Sequence, residues 1–395
     1  MLNGLTGPRD LPPCTSLSAT RRRWMQYHNV CLESFACTVP EEIVTSEQIE
    51  GRLAPVYRRL RLPEGRLELM TGIVQRRFWP RGMLPSRTSA QTAEKALRAA
   101  GVDRLQVGAL IHGSVCRDYL EPATACRVHR QLGLRPDCLI YDISNACLGL
   151  LDGIVQVANM IELGQIRAGI VVGTESSRVL VESTIHTLNE DESLSRADVK
   201  RAMASLTLGS ASAAVLLVDR RTSRTGNRLL GGVGWASTDS CELCHGGRDV
   251  TLGGDGRPVM WTESEALLQG AVQAAKQAFP RFLDTVGWEA EGIDKAFCHQ
   301  VGKVHRKLMF EALGLNSDLD YSTLEWLGNT GSVALPLSAA LGVQHGHVRA
   351  GERLALMGIA SGINALILGV EWQESRIEER PDAAHAPGCL VDHVR

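Results

Sequence analysis

The chain has no bulk charge of either sign: 42 lysines and arginines nearly balance 44 aspartates and glutamates, leaving a net charge of −2. Without a basic excess there is no electrostatic case for nucleic acid or an anionic membrane surface as partner. No apolar run reaches the length of a bilayer-spanning helix. Residues 1–20 contain no apolar signal core, and Arg21-Arg22-Arg23 is followed by none, so neither a secretory nor a twin-arginine export signal is read there. The 11 cysteines are odd in number and follow no framework spacing, which argues for a reducing compartment and against structural disulfides. The expectation is a cytoplasmic protein.

Ligand-holding motifs are also scarce. Cys241-Glu-Leu-Cys244-His245 has the spacing of covalent haem attachment, but that chemistry needs export, and zinc would need a second ligand pair. Gly253-Gly254-Asp255-Gly256 lacks the Lys-Ser/Thr and helix of a phosphate loop and reads as a turn. No metal and no resident cofactor are expected.

What is present is ordinary globular composition, 44% apolar and 22% charged, at a length suiting two domains or one duplicated unit. Duplication is written in the chain. Cys147–Gly169 (CLGLLDGIVQVANMIELGQIRAG) aligns without gaps on Asn329–Gly351 (NTGSVALPLSAALGVQHGHVRAG). Each is an apolar helix, then Gly-x-φ-Arg-Ala-Gly, then an apolar strand. A weaker match pairs Ala109-Leu-Ile-His112 with Ala296-Phe-Cys-His299. Such a repeat implies two pseudo-symmetric halves rather than a solenoid.

Helical stretches such as 89–100 and 263–279 alternate with short Val/Ile/Leu/Ala strands, predicting α/β layers with buried strands. The halves are placed at 25–220 and 226–375, joined by the polar Asp219-to-Asn227 turn. Residues 1–24 and 379–395 are read as a disordered extension and tail. Residues 177–200 form an acidic excursion, read as a surface flap or partner-facing segment, with a tunnel wall as an alternative for it and for 263–279.

Cys147 ends the short strand Asp142-Ile-Ser-Asn-Ala and is expected to open a helix, where unpaired N–H groups and the dipole favour thiolate. In an α/β repeat, pocket residues gather at the carboxyl ends of strands. Cys147, His299 and Asn329 each stand at such a junction, and the repeat sets Cys147 opposite Asn329. A thiolate can take a thioester acyl group. A neutral imidazole and a carboxamide can hold the enolate oxygen that a carbon–carbon condensation creates. The Cys147 N–H and the loop Gly358-Ile-Ala-Ser361-Gly are candidates for a second oxyanion site, although that loop reads equally well as a tight turn. Glu121, just before Pro122, reads on its own as helix-start chemistry.

The Cys/His/Asn set resembles the thiolase superfamily, in its ketoacyl synthase III-like branch, over about residues 25–375. Ser144-Asn-Ala-Cys147-Leu-Gly, Ser114-Val-Cys-Arg-Asp-Tyr-Leu-Glu121-Pro and Gly358-Ile-Ala-Ser361-Gly-Ile-Asn364 are most similar to the acyl-CoA condensing enzymes of bacterial long-chain olefin biosynthesis. The resemblance implies a five-layered αβαβα fold and a homodimer. It also implies non-decarboxylative Claisen condensation of two acyl-CoAs to a β-keto acid. Cys147 would be acylated, His299 and Asn329 would hold the enolate, and Glu121 would reach across the dimer as base. The alternative is a decarboxylative synthase taking malonyl groups from an acyl carrier protein, with Arg58, Arg59 and Arg61 as docking cations. A malonyl donor makes its carbanion by losing carbon dioxide, whereas a plain acyl-CoA needs a base at its α-carbon. Glu121 therefore separates the two reactions. Later olefin-pathway enzymes would be partners of the first.

Overall fold

The computed structural model describes residues 25–247 and 258–376. The expected extension, the tail from 379 and the turn at 253–256 lie outside those residues. In chain order the strands are β1 (Val30–Thr38), β2 (Glu42–Thr45), β3 (Gln75–Phe78), β4 (Val107–Gly113), β5 (Leu139–Ile143), β6 (Ala168–Glu175), β7 (Ala211–Asp219), β8 (Arg228–Ala236), β9 (Cys244–Gly246), β10 (Met260–Thr262), β11 (Lys295–Cys298), β12 (Arg353–Ala360) and β13 (Asn364–Glu371). The helices are α1 (Ser46–Arg52), α2 (Ala54–Leu60), α3 (Arg66–Thr71), α4 (Pro85–Ala100), α5 (Thr124–Leu132), α6 (Gly149–Glu162), α7 (Arg178–Glu190), α8 (Arg196–Leu206), α9 (Ser264–Val286), α10 (Lys303–Ala312), α11 (Leu324–Leu327) and α12 (Ala334–Gln344).

Nine strands form one mixed sheet in the order β11-β12-β13-β8-β1-β7-β6-β4-β5. Strands β6 and β7 are buried from end to end, so both faces must be covered by helices. The repeat appears as geometry: β4 pairs in parallel with β6, and β11 with β12. Between β1 and β8 the ladder has one residue pair, Cys31 with Arg228, beside the Leu32 N–H to Asn227 carbonyl bond at 2.8 Å. The sheet is thus two sheets meeting at one rung.

Three cores fill the layers. One packs α4 and α5 on the outer face of the first half, and another packs α9 on the outer face of the second. The largest holds α6 and α12 between the inner faces of both. This gives the five expected layers. Helix α12 is buried on every side from Ala334 to Val343, as a middle-layer helix must be. In the repeat register α6 and α12 end at matched residues, Glu162 and Gln344, but α12 starts later, behind a short 3₁₀ turn at Gly331–Val333.

The acidic excursion departs from the flap reading. It folds into α7 and α8, whose Val181, Ile185, Leu188, Val199, Ala202 and Leu206 join α1, α2 and α3 in a fourth core. Its acidic residues lie on the outer faces of these two amphipathic helices and in the short connection between them, so charge alone gave the wrong picture. Helix α5 likewise begins at Thr124, two residues past Pro122.

Candidate functional site

The β5 strand delivers the chain to a tight turn in which Ala146 takes a left-handed backbone, φ 45°. A non-glycine residue there is uncommon and is held only by its surroundings. Those surroundings are visible. The Leu148 N–H donates to the Asn145 carbonyl at 2.9 Å, and Asn145 Nδ2 donates to Asp152 Oδ2 at 2.8 Å. Asn364 Nδ2, from the far half, donates to Asn145 Oδ1 at 3.4 Å. The turn aims Cys147 into a cavity of about 760 Å³.

Helix α6 starts at Gly149, two residues after the cysteine rather than at it. The expected thiolate is not favoured at rest. Burial, then the Glu175 carboxylate and Cys244, push the Cys147 thiol up to about 12. Desolvation of a charge outweighs a helix terminus one turn away.

His299 follows β11 and is fixed by its N–H donating to the Met357 carbonyl at 3.1 Å. It is 8% exposed, and neither ring nitrogen has a hydrogen-bond partner among the described residues. Burial, then neighbouring His305, lowers it to about 4, so the imidazole is neutral near pH 7. Asn329 is held at both ends of its backbone: its N–H donates to Thr207 at 3.0 Å, and its carbonyl accepts from Gly209 at 2.8 Å. Its Oδ1 accepts from the Gly331 N–H at 2.9 Å, which leaves the Nδ2 end to donate.

Cys147, His299, Asn329 and Ser361 all line that one cavity. Ser361 lies in the hairpin turn between β12 and β13, so the loop is both the tight turn and part of the wall. The remaining wall is mostly apolar, with Leu267, Leu268 and Ala271 of α9, Met309 of α10 and Leu313 just past its end. Val179 and Leu180 of α7 and Met203 of α8 also contribute, so both segments weighed as tunnel walls face it. The site is a thiol, an imidazole and an amide donor and a mostly apolar channel, a setting suited to thioester chemistry and enolate stabilisation.

Glu121 lies elsewhere. It is exposed, outside the cavity lining of its own chain, beside Leu120 at 72% and Tyr119 at 48% exposure. Cys244 lines the cavity with its Sγ 3.4 Å from Thr262 Oγ1, while Cys241 is exposed. No cluster of metal-ligating side chains exists among the described residues.

Two cavity residues escaped the sequence reading. Glu175, at the carboxyl end of β6, accepts from the Val115 N–H at 3.2 Å, the Ser332 N–H at 3.3 Å and Ser332 Oγ at 2.5 Å. It ties the Asn329 turn to the first half, and its strand-end position was the available signal. His305 lies on α10, six residues beyond His299.

Comparison with known proteins agrees with this geometry. The model of the thiolase N-terminal domain matches residues 69–215, and that of the 3-oxoacyl-[acyl-carrier-protein] synthase III C terminal matches 283–372. An acyl-CoA:acyl-CoA alkyltransferase of Shewanella oneidensis is 40% identical, over 88% of this chain and 100% of the relative. One of Xanthomonas campestris is 30% identical over the same shares. Cerulenin-bound Xanthomonas campestris OleA superposes with a TM-score of 0.83 at 30% identity, covering 88% of this chain and 98% of that one. A 3-oxoacyl-(acyl carrier protein) synthase III of Xanthomonas oryzae gives 0.82 at 30% identity, covering 88% and 100%. The chain belongs to the acyl-CoA:acyl-CoA alkyltransferase family of the thiolase superfamily.

Proposed function

We propose that the protein joins two fatty acyl-CoA thioesters by non-decarboxylative Claisen condensation, through an acyl group on Cys147, to give a β-keto acid. The observation that carries this reading is the meeting of Cys147, His299 and Asn329 on one apolar channel in a chain of this family. His299 is neutral and its ring has no hydrogen-bond partner among the described residues, so at the first step it can accept the Cys147 proton as sulfur attacks the thioester carbonyl. The backbone N–H groups of Cys147 and Ser361, two residues that line the cavity, are assigned to the resulting oxyanion. The first CoA leaves as thiolate and takes that proton from His299. His299 and the Asn329 amide then donate to the enolate of the second acyl-CoA, whose α-carbon attacks the acyl-cysteine carbonyl and expels the Cys147 thiolate.

The α-proton needs a base, and Glu121 is assigned that role. Exposed on its own protomer among apolar side chains, it can reach a cavity only as part of a homodimer. The OleA structures include one with lauric acid and lauroyl-CoA bound to a cysteine-to-serine variant, and others in which one glutamate or one histidine is replaced. That glutamate and cysteine are as far apart in sequence as Glu121 and Cys147. Passing of the product to olefin-pathway enzymes belongs to the same reading.

The decarboxylative alternative is favoured by the synthase III likeness of residues 283–372. Incubation with a long-chain acyl-CoA alone separates the two. An adduct on Cys147 with a condensed product and free CoA is expected, and strict dependence on a malonyl carrier would overturn the proposal.

A further inference from the structure

Condensation on Cys147 does not itself yield an acid. The released β-ketoacyl chain still carries the second CoA as a thioester, and reaching the acid consumes one water. None of the roles given above to Cys147, His299, Asn329 and Glu121 supplies a base to this water. Resting on the condensation reading above, we infer that His305 activates this water and is a further catalytic residue.

His305 stands in the first turn of α10 and lines the same cavity as Cys147 and His299. Its Nδ1 is buried without a hydrogen-bond partner among the described residues. The ring lies over Gly302, where a Cβ would come within 3.3 Å of Nδ1, so the glycine leaves the imidazole its place. Neighbouring polar side chains on this side of the second half are paired with one another. Arg306 Nε donates to Asp320 Oδ2 at 2.6 Å, and Cys298 Sγ donates to the same oxygen at 3.4 Å. Gln300 Nε2 donates to the Tyr321 carbonyl at 2.9 Å, and its Oε1 accepts from the Thr323 N–H at 2.8 Å. Glu175 Oε1 accepts from the Val115 N–H and from both Ser332 donors, which fixes that carboxylate against the first half.

Burial lowers His305 below the ordinary histidine value, so near pH 7 its ring is uncharged and able to accept a proton. The two imidazoles then divide the work, His299 donating to oxyanions and His305 serving water. The water gives its proton to the His305 ring, and its oxygen adds to the thioester carbonyl carbon. Collapse breaks the C–S bond, and the CoA thiolate recovers the proton from the imidazolium. The acid ionises, so one water becomes one carboxylate, one CoA thiol and one proton.

The test is a product ratio. Wild type, H305N and H305Q are incubated with tetradecanoyl-CoA, and free CoA, β-keto acid and intact β-ketoacyl-CoA are measured by mass spectrometry. Wild type should release both CoA molecules per condensed chain. The variants should still acylate Cys147 and condense, release only the first CoA, and accumulate β-ketoacyl-CoA, with hydrolysis slowed roughly a hundredfold. Variants that release both CoA molecules per condensed chain, at any turnover, overturn the assignment. The ratio does not depend on the folded fraction. A wild type that forms no condensed chain would instead sink the condensation reading.

Discussion

His112 and His299 close equivalent strands of the two halves, and only His299 faces the cavity. His112 ends its ladder opposite Val172, is 0% exposed and has both ring nitrogens unpartnered among the described residues. His299 stands one residue past the Cys298–Met357 pair, its backbone N–H on the Met357 carbonyl, at the cavity wall. One duplicated position has become core and the other cavity wall.

Replacing the two should therefore do opposite things. H299N should cut condensation by roughly a hundredfold or more, as losing an oxyanion donor does, with the melting temperature unchanged. H112A should cost about 1–3 kcal/mol of stability while turnover per folded molecule stays near wild type. Thermal melts alongside steady-state rates check both.

Both imidazoles are lowered to about 4, in each case chiefly by burial. Unfolded, they bind protons near the ordinary value of 6.5, so below it the unfolded chain binds more protons than the folded one. Their stabilisation is complete above 6.5 and is lost as pH falls from there through about 4. Up to about 3 kcal/mol per histidine is expected by linkage. Urea midpoints across that window should fall steeply in wild type and less in H112A.

Cys147 titrates far above an ordinary thiol, at about 12. Alkylation by iodoacetamide should be slow near neutrality and should climb with pH past 9, the ordinary thiol value, without levelling. Glu175 is the largest charge opposing the thiolate, so Glu175→Gln should speed neutral-pH alkylation of Cys147 by about threefold to tenfold. A rate that levels near pH 8 would contradict the buried-thiol picture.

Glu121→Ala should leave the Cys147 acyl adduct intact and abolish condensation. On the proposed reading, in which one protomer supplies sulfur and the other carboxylate, mixing this variant with C147A under conditions that exchange subunits should restore activity that neither has alone. Absence of complementation would place the base within one chain.

Much of this was legible because a duplication leaves patterns. The shared Gly-x-φ-Arg-Ala-Gly segments located α6, α12 and the strands behind them, and with them the junctions holding Cys147 and Asn329. Glu175 was hidden because a carboxylate at the end of an apolar strand looks like any strand-end charge until Ser332, far along the chain, is seen to donate to it. His305 was hidden because a histidine on an amphipathic helix shows its use only when the cavity wall is known. The excursion misled for a different reason: Val181, Ile185 and Leu188 repeat at helical spacing beneath the charges, and their partners on α1, α2 and α3 lie more than 100 residues earlier. The cost of exposing a thiolate to a dry pocket likewise belongs to the assembled cavity, not to the local motif.

The single rung between β1 and β8 bears on how the chain comes off the ribosome. Helix α6 buries its inner side against α12, β12 and β13, all made after the nucleophile has been synthesised. The first half alone would leave that side wet, so its reactive turn can be set only once nearly the whole polypeptide has emerged. A nascent chain is in this way kept from capturing acyl groups before there is a place to send them.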